Sequence, residues 1–204
     1  MGGVSAFDEP VPIDGRTARS VRTRKAIVEA CIELVEAGDL EPTAPRVAER
    51  AGVSVRSVFQ HFDDLEGLFA AVGDRVLENL LGLVMHVDPT IDFERRVPIV
   101  VRQRTALLEA LSPIRRAVAV NAWDSQEVSN RLALGHAYLR LEVESAFARE
   151  LLASGADRLE VLNALDTVLS WSTWEQLRRT VGLDAGAAAG VVERLCRATL
   201  AAYR

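Results

Sequence analysis

The stretch RVAERAGVSVRSVFQHF, Arg46 to Phe62, contains two helical apolar patterns separated by the four residues AGVS. In the first, Val47, Ala48 and Ala51 share a side, and Gly52 stops it. In the second, Ser54 stands at the N-cap position, and Val55, Val58, Phe59 and Phe62 are the apolar members. Helices this short are marginal in water, so each needs a scaffold to hold it. Two short helices joined by a tight, glycine-containing turn make a helix-turn-helix, in which the first braces the second and leaves its outer face exposed. The polar residues of that face are Arg56, Ser57, Gln60 and His61. Arginine can pair in two places with guanine and glutamine with adenine, while serine and histidine reach phosphates or base edges. The pattern alone leaves a plain helical hairpin with a solvated face as the alternative.

The flanking sequence supplies the scaffold. Upstream, Ile27, Cys31, Leu34 and Val35 recur at helical spacing from Ser20 until Gly38 ends the run. Thr43 follows Pro42 and can cap the first short helix. Downstream, Asp63 and Asp64 precede a long segment carrying Leu65, Leu68, Phe69, Val72, Val76, Leu77, Leu80 and Val84, which HVDPT breaks. The predicted class is all-α.

Charge is informative when it is located. The 204-residue chain carries a net −5, yet GRTARSVRTRK, Gly15 to Lys25, holds five positive charges and no acid, leaving −10 for the remainder. Arg19, Arg22, Arg24 and Lys25 are thus candidate phosphate contacts. The alternative is a solvated, disordered basic arm. Composition, about half apolar, is that of a globular chain long enough to bury a core. No apolar run approaches a membrane span, and MGGVSAFDEP lacks the basic start and apolar centre of a signal peptide, so the expected location is the cytoplasm with no membrane partner. Ala6 replaces the Ser or Thr of a myristoylation pattern. Cys31 and Cys196 lie in apolar periodic segments, as reduced core thiols rather than a disulfide or metal site. No G-x-S-x-G, H-E-x-x-H, P-loop or G-x-G-x-x-G pattern occurs, so the reading is not an enzyme and invokes no metal or cofactor.

The stretch TAPRVAERAGVSVRSVFQHFDDLEGLF, with RTRKAIVEACIELVEAG before it, resembles the helix-turn-helix of the TetR family of transcriptional regulators over roughly residues 20–80. The resemblance implies a homodimeric DNA-binding regulator, usually a repressor, that reads a palindromic double-stranded DNA operator and is released from it by a small-molecule effector. Located charge marks a flexible basic arm over 1–19, and the resemblance implies a DNA-binding domain over 20–64 with its motif at 43–62 and a helical ligand-binding and dimerisation domain over 65–204. Carried over by position, Thr43 would touch a phosphate, and Ser54, Val55, Arg56, Ser57, Gln60 and His61 would lie in or beside the major groove. Three positions depart from the family pattern. Phe59 stands where a tyrosine is frequent, Leu65 where a lysine is common, and Asp39 and Leu40 follow Gly38 where an aromatic residue often stands.

Beyond the motif, five further helices are expected near residues 93–110, 113–122, 126–154, 157–181 and 184–203. The last two carry the stripes Leu159, Leu162, Leu165, Leu169 and Val192, Leu195, Cys196, Leu200. Paired across a two-fold axis, these would form a four-helix interface, although an intramolecular core would look the same. For a ligand pocket, Trp123, Tyr138, Trp171 and Trp174 offer aromatic surface, with His86, His136, Glu142 and Glu144 as polar handles. Each of these can equally be ordinary core or surface. A constitutive DNA-binding dimer or protein-interaction module without a small-molecule switch is the alternative function.

Overall fold

The computed structural model describes residues 15–121 and 125–203, side chains at 80–83 and 121 excepted, and all regular structure among them is helical. The first helix, α1 (Gly15–Glu36), begins five residues earlier than the periodicity suggested, so Arg16 and Arg19 belong to a helix rather than a loose arm. Its apolar side buries Ile27, Cys31, Leu34 and Val35, and Gly38 closes it at φ 97°. The two short helices are α2 (Ala44–Ala51) and α3 (Val55–His61). Between them Gly52 adopts φ 68°, a left-handed conformation that a side chain would strain, and its N–H returns to the α2 carbonyls. Ser54 Oγ accepts from the Ser57 N–H at 3.1 Å, capping α3 as expected. Thr43 occupies the N-cap position of α2, but its side chain makes no capping bond. Helix α4 (Leu65–Leu83) starts where Asp64 accepts the Gly67 N–H at 2.8 Å.

Three of the expected boundaries shift. Residues 93–121 form one helix, α5 (Phe93–Asn121), running through Pro98 and Pro113. Proline removes a backbone bond and normally breaks a helix. Here both halves are clamped: Val97, Val100, Val101 and Leu108 enter one core, while Ile114 and Ala117 enter another. Next to the interruption, Ser112 Oγ donates to the Leu108 carbonyl at 2.8 Å. The segment expected at 126–154 divides into α6 (Gln126–Ala146) and α7 (Ala148–Ala153) at Phe147, whose ring is wholly buried and whose backbone leaves the helical region. The segment at 157–181 divides into α8 (Arg158–Val168) and α9 (Trp171–Glu175), continued by a π-type turn to Thr180. Ser170 restarts the helix by accepting the Thr173 N–H at 3.2 Å. The last helix, α10 (Ala185–Ala202), is capped by Asp184, which accepts the Ala187 N–H at 2.8 Å.

The helices build two cores. The N-terminal one joins α1, α2, α3 and α4 around Ile27, Cys31, Val47, Val58 and Leu68. The larger C-terminal one joins α5, α6, α7, α8, α9 and α10 around Val97, Val143, Leu151, Leu165 and Trp174. Each such aliphatic side chain contributes about 1.5–3 kcal/mol on full burial. This placement corrects the interface reading of the two terminal stripes: Leu162, Leu165, Leu169, Val192, Cys196 and Leu200 are at most 5% exposed and lie inside the protomer's own core, whereas Leu195 is 42% and Leu159 64% exposed. Both cysteines are unpaired and buried, and burial pushes each thiol up to about 12. No helix of the described residues is long and apolar enough to cross a membrane.

One buried ion pair was not foreseen. The Arg96 side chain, 1% exposed, binds Glu150 of α7 and donates to the carbonyls of Pro89 and Ile91, so it ties the start of α5 to α7 and to the loop before it. Removing one partner of a buried pair leaves an uncompensated charge. Glu150→Ala is therefore expected to lose about 3–5 kcal/mol of stability, and the Arg96→Met, Glu150→Leu double variant to recover most of it. Urea unfolding of the three proteins measures this, and an unchanged midpoint for Glu150→Ala would refute it.

Candidate functional site

The N-terminal core fixes which side of α3 faces outward. Val58 is 1% exposed and Phe62 5%, four residues apart on the inner side, while Ser57 and His61 flank them half-buried. The outward side carries Val55, Arg56, Phe59 and Gln60. Phe59, 48% exposed, thus stands among the outward-facing residues of α3 instead of bracing the helix. The period was legible, but the burial of one aromatic over the other depended on where α1 and α4 pack. An exposed phenylalanine beside Arg56 and Gln60 offers a surface of the kind that meets a thymine methyl.

Three ion pairs brace this head and its scaffold. Arg46 of α2 lies 2.6 Å from Asp39, Arg50 of α2 lies 3.5 Å from Glu33 of α1, and Arg75 of α4 lies 2.9 Å from Glu29 of α1. Asp39, a departure from the family pattern, is therefore the anchor of the loop that leads into α2, and it also accepts the Glu41 N–H. Leu65, another such departure, starts α4 packed against the N-terminal core.

The basic residues surround the same head. Arg19, Arg22, Arg24 and Lys25 are all exposed on α1. The Arg24 guanidinium lies 4.3 Å above the Phe62 ring at the end of α3, so the basic turn of α1 and the recognition helix are physically joined. Thr43 is exposed at the start of α2 with its hydroxyl unused by the helix cap.

Behind the head, α1, α4, α5, α6, α8 and α9 enclose a mainly apolar cavity of about 470 Å³, within the range of about 300–1,000 Å³ usual for small-molecule sites. Of the proposed ligand contacts, His136 and Trp171 line it. Trp174 is buried in the C-terminal core with Nε1 donating to Glu109 at 2.8 Å, Tyr138 is half-buried away from the cavity, and His86 is exposed near Glu142, 3.9 Å away. Glu142 belongs to a separate small crevice and Glu144 pairs with Arg158. Trp123 lies outside the described residues. The charged members of the lining are Arg104, Arg115, Arg131 and Asp166. Arg104 and Arg115 had a sequence signal: with Leu108, Leu111 and Val118 they repeat every three or four residues, so two charges occupy positions of an apolar stripe.

Residues 27–72 match the family model described as bacterial regulatory proteins, tetR family. This N-terminal domain is a TetR-family domain. The whole chain also has the TetR fold. It is similar to a TetR-family regulator from Mesorhizobium loti, with 22% identity over 91% of this chain and 98% of that one at a TM-score of 0.69. A regulator from Haloarcula marismortui is 18% identical over 90% and 98% at 0.66, and one from Streptomyces coelicolor 15% identical over 90% and 84% at 0.68. A comparison with curated protein sequences finds no significant match. The family match thus covers the segment that carries α2 and α3, and over the rest of the chain the likeness is one of fold.

The head allows stability and sequence reading to be separated. Arg56→Ala should leave the melting curve nearly unchanged and remove roughly 1–3 kcal/mol of operator binding, with relaxed preference at one symmetric base pair. Val58→Asp buries a charge without a partner and should unfold the domain. Binding to operators mutated one position at a time, alongside thermal melting, tests both, and Arg56→Ala binding every site like the parent would remove α3 as the reading helix. Arg19→Ala with Arg22→Ala should weaken binding to all DNA sequences alike and flatten its salt dependence, because phosphate contacts release counterions without reading bases. A salt titration giving the parental slope would exclude those contacts.

Proposed function

We propose that this TetR-type regulator is a repressor that binds a palindromic operator as a homodimer and leaves it when a small molecule fills the cavity between its two cores. The observation carrying this reading is a shared wall: Val35 of α1, Val72 of α4, and Ile114 and Ala117 of α5 line the cavity and also belong to the N-terminal core. A ligand that moves these side chains acts on the packing that holds α2 and α3. Helix-turn-helix dimers read half-sites about 34 Å apart. A small rotation of each head therefore spoils simultaneous insertion of both. In these terms, Arg56, Ser57, Phe59, Gln60 and Val55 read the groove with Ser54 and His61 beside them, and Thr43, Arg19, Arg22, Arg24 and Lys25 serve the phosphates.

Of the two stripes, Leu159 remains on the surface of α8, and on α10 so does Leu195. Leu195 lies on the outward stripe of α10 with Ala187, Ala198 and Ala202, small residues that let a partner helix approach closely. Leu195→Glu is expected to convert the dimer to a folded monomer, since the side chain is not needed by the protomer's own core. Sedimentation showing an intact dimer would place the interface elsewhere.

The functional test begins with selection of bound sequences from random DNA, followed by a screen of small molecules for release of that operator. Compounds that occupy the cavity and lower operator affinity support the reading. Cavity occupancy that leaves affinity unchanged supports the constitutive alternative.

A further inference from the structure

The cavity's polar groups differ in how they are satisfied. Arg131 holds Asp74 through two contacts of 2.5 and 2.9 Å. Asp166 takes Arg140 at 3.0 Å and the His136 Nε2 at 2.8 Å. Arg104, 7% exposed, has no carboxylate in contact, but its two terminal nitrogens reach the carbonyls of Leu139 and Leu169 at 2.7 and 3.4 Å. Arg115 differs from all of these. Its guanidinium lies 4.9 Å above the Trp171 ring, its Nε is sealed from solvent without a hydrogen-bond partner, and it faces no carboxylate among the described residues.

The ring beneath it is itself fixed. Trp171 Nε1 donates to Ser112 Oγ at 3.2 Å, and that hydroxyl donates to the Leu108 carbonyl. Arg115 therefore sits on a rigid platform at the cavity wall, with its donor fork uncommitted and an apolar chamber in front of it. A desolvated charge without a partner is costly, and a planar guanidinium is shaped to receive a carboxylate through two parallel bonds. Neighbouring Arg116 shows the contrast, since Glu175 already occupies its fork at 2.8 and 3.0 Å.

We infer that the cavity takes a small molecule with an apolar body and one carboxylate, and that the Arg115 guanidinium, held over the Trp171 ring, receives the carboxylate. Arg104 does not call for a second anion, because backbone carbonyls satisfy it and Asp166 lies in the same lining. A cationic ligand would meet Arg104 and Arg115 while finding Asp166 already paired. The inference deepens the effector reading and rests on the same cavity.

Decanoate, decanol and decylamine, which share one chain and differ in head group, supply the test by calorimetric titration of the full-length protein. Decanoate should bind most tightly and decylamine least. Arg115→Gln should weaken decanoate by about ten- to hundred-fold while leaving decanol unchanged, and Arg115→Lys, which keeps the charge but loses the fork, should fall between. Thermal melting checks that the variants are folded; should Arg115→Gln fail to fold, the Arg115→Lys loss and the parental preference for decanoate over decanol decide. Decanol binding as tightly as decanoate, or decanoate binding indifferent to Arg115, would overturn the inference. Operator binding measured in the same samples separates the two claims. Arg115-dependent decanoate binding without DNA release would remove the effector reading and leave the anion site, and release by a neutral occupant with no preference for carboxylate would do the reverse.

Discussion

Helices of seven and eight residues do not persist in water by themselves, and that constraint organises the rest of the molecule. Val47 and Val58 are essentially inaccessible only because α1 and α4 close over them, and the recognition face is presented only because that closure fixes the rotation of α3. Ion pairs from Glu29, Glu33 and Asp39 fix the relative positions of α1, α2 and α4 at the surface. Such exposed pairs contribute little each, so their value lies in geometry more than in stability. The head is therefore an extension of its scaffold, and whatever displaces α1 or α4 reaches the outward side chains of α3.

Helix α5 carries that dependence into the rest of the chain. Its first half is packed in the C-terminal core and its last turns in the N-terminal one, so it crosses the boundary between them. Pro113 falls between the two clamped halves, where a missing backbone bond weakens the helix at the point that separates the cores. The same turns carry Leu111, Ile114 and Arg115 into the cavity wall. A structural weak point, the junction of two cores and the chamber between them coincide on one element.

What could be read in advance followed from local rules. The Gly52 turn, the Ser54 cap and the apolar period of α3 depend on neighbours within a few residues, and these are legible in the sequence. The departures all came from packing between distant segments. Pro113 did not end its helix because two cores hold it, Phe147 broke one because its ring is wholly buried, and the basic turn from Gly15 is helical with Arg24 resting on Phe62. The stripes of α8 and α10 were genuine apolar faces, but periodicity cannot say whether a face meets its own chain or another. Burial assigns Leu165 and Leu169 to the chain itself and leaves Leu195 outside. The cavity is hidden in the sequence for a related reason: its aromatic residues stand out as candidate ligand contacts, whereas its distinguishing feature is a charge set into an apolar stripe.

On the proposed function, that misplaced charge links stability to regulation. A ligand shifts an equilibrium only by the difference in its affinity for the two states, so a cavity wall already satisfied in the DNA-bound form would have nothing to gain from moving. Arg115 leaves part of its hydrogen-bonding capacity unmet, and completing it provides a source of such a difference. On the proposed reading, a preference of about 1.4 kcal/mol for the released geometry is tenfold per protomer. Two coupled heads on one operator would square that factor. The Trp171 platform then serves switching as well as binding, because it fixes where the anion must sit while the other walls, on α1 and α4, lead to the head. An anion held at α5 would require the apolar remainder of the ligand to be accommodated against Val35 and Val72, side chains that cannot shift without disturbing the packing under α2 and α3.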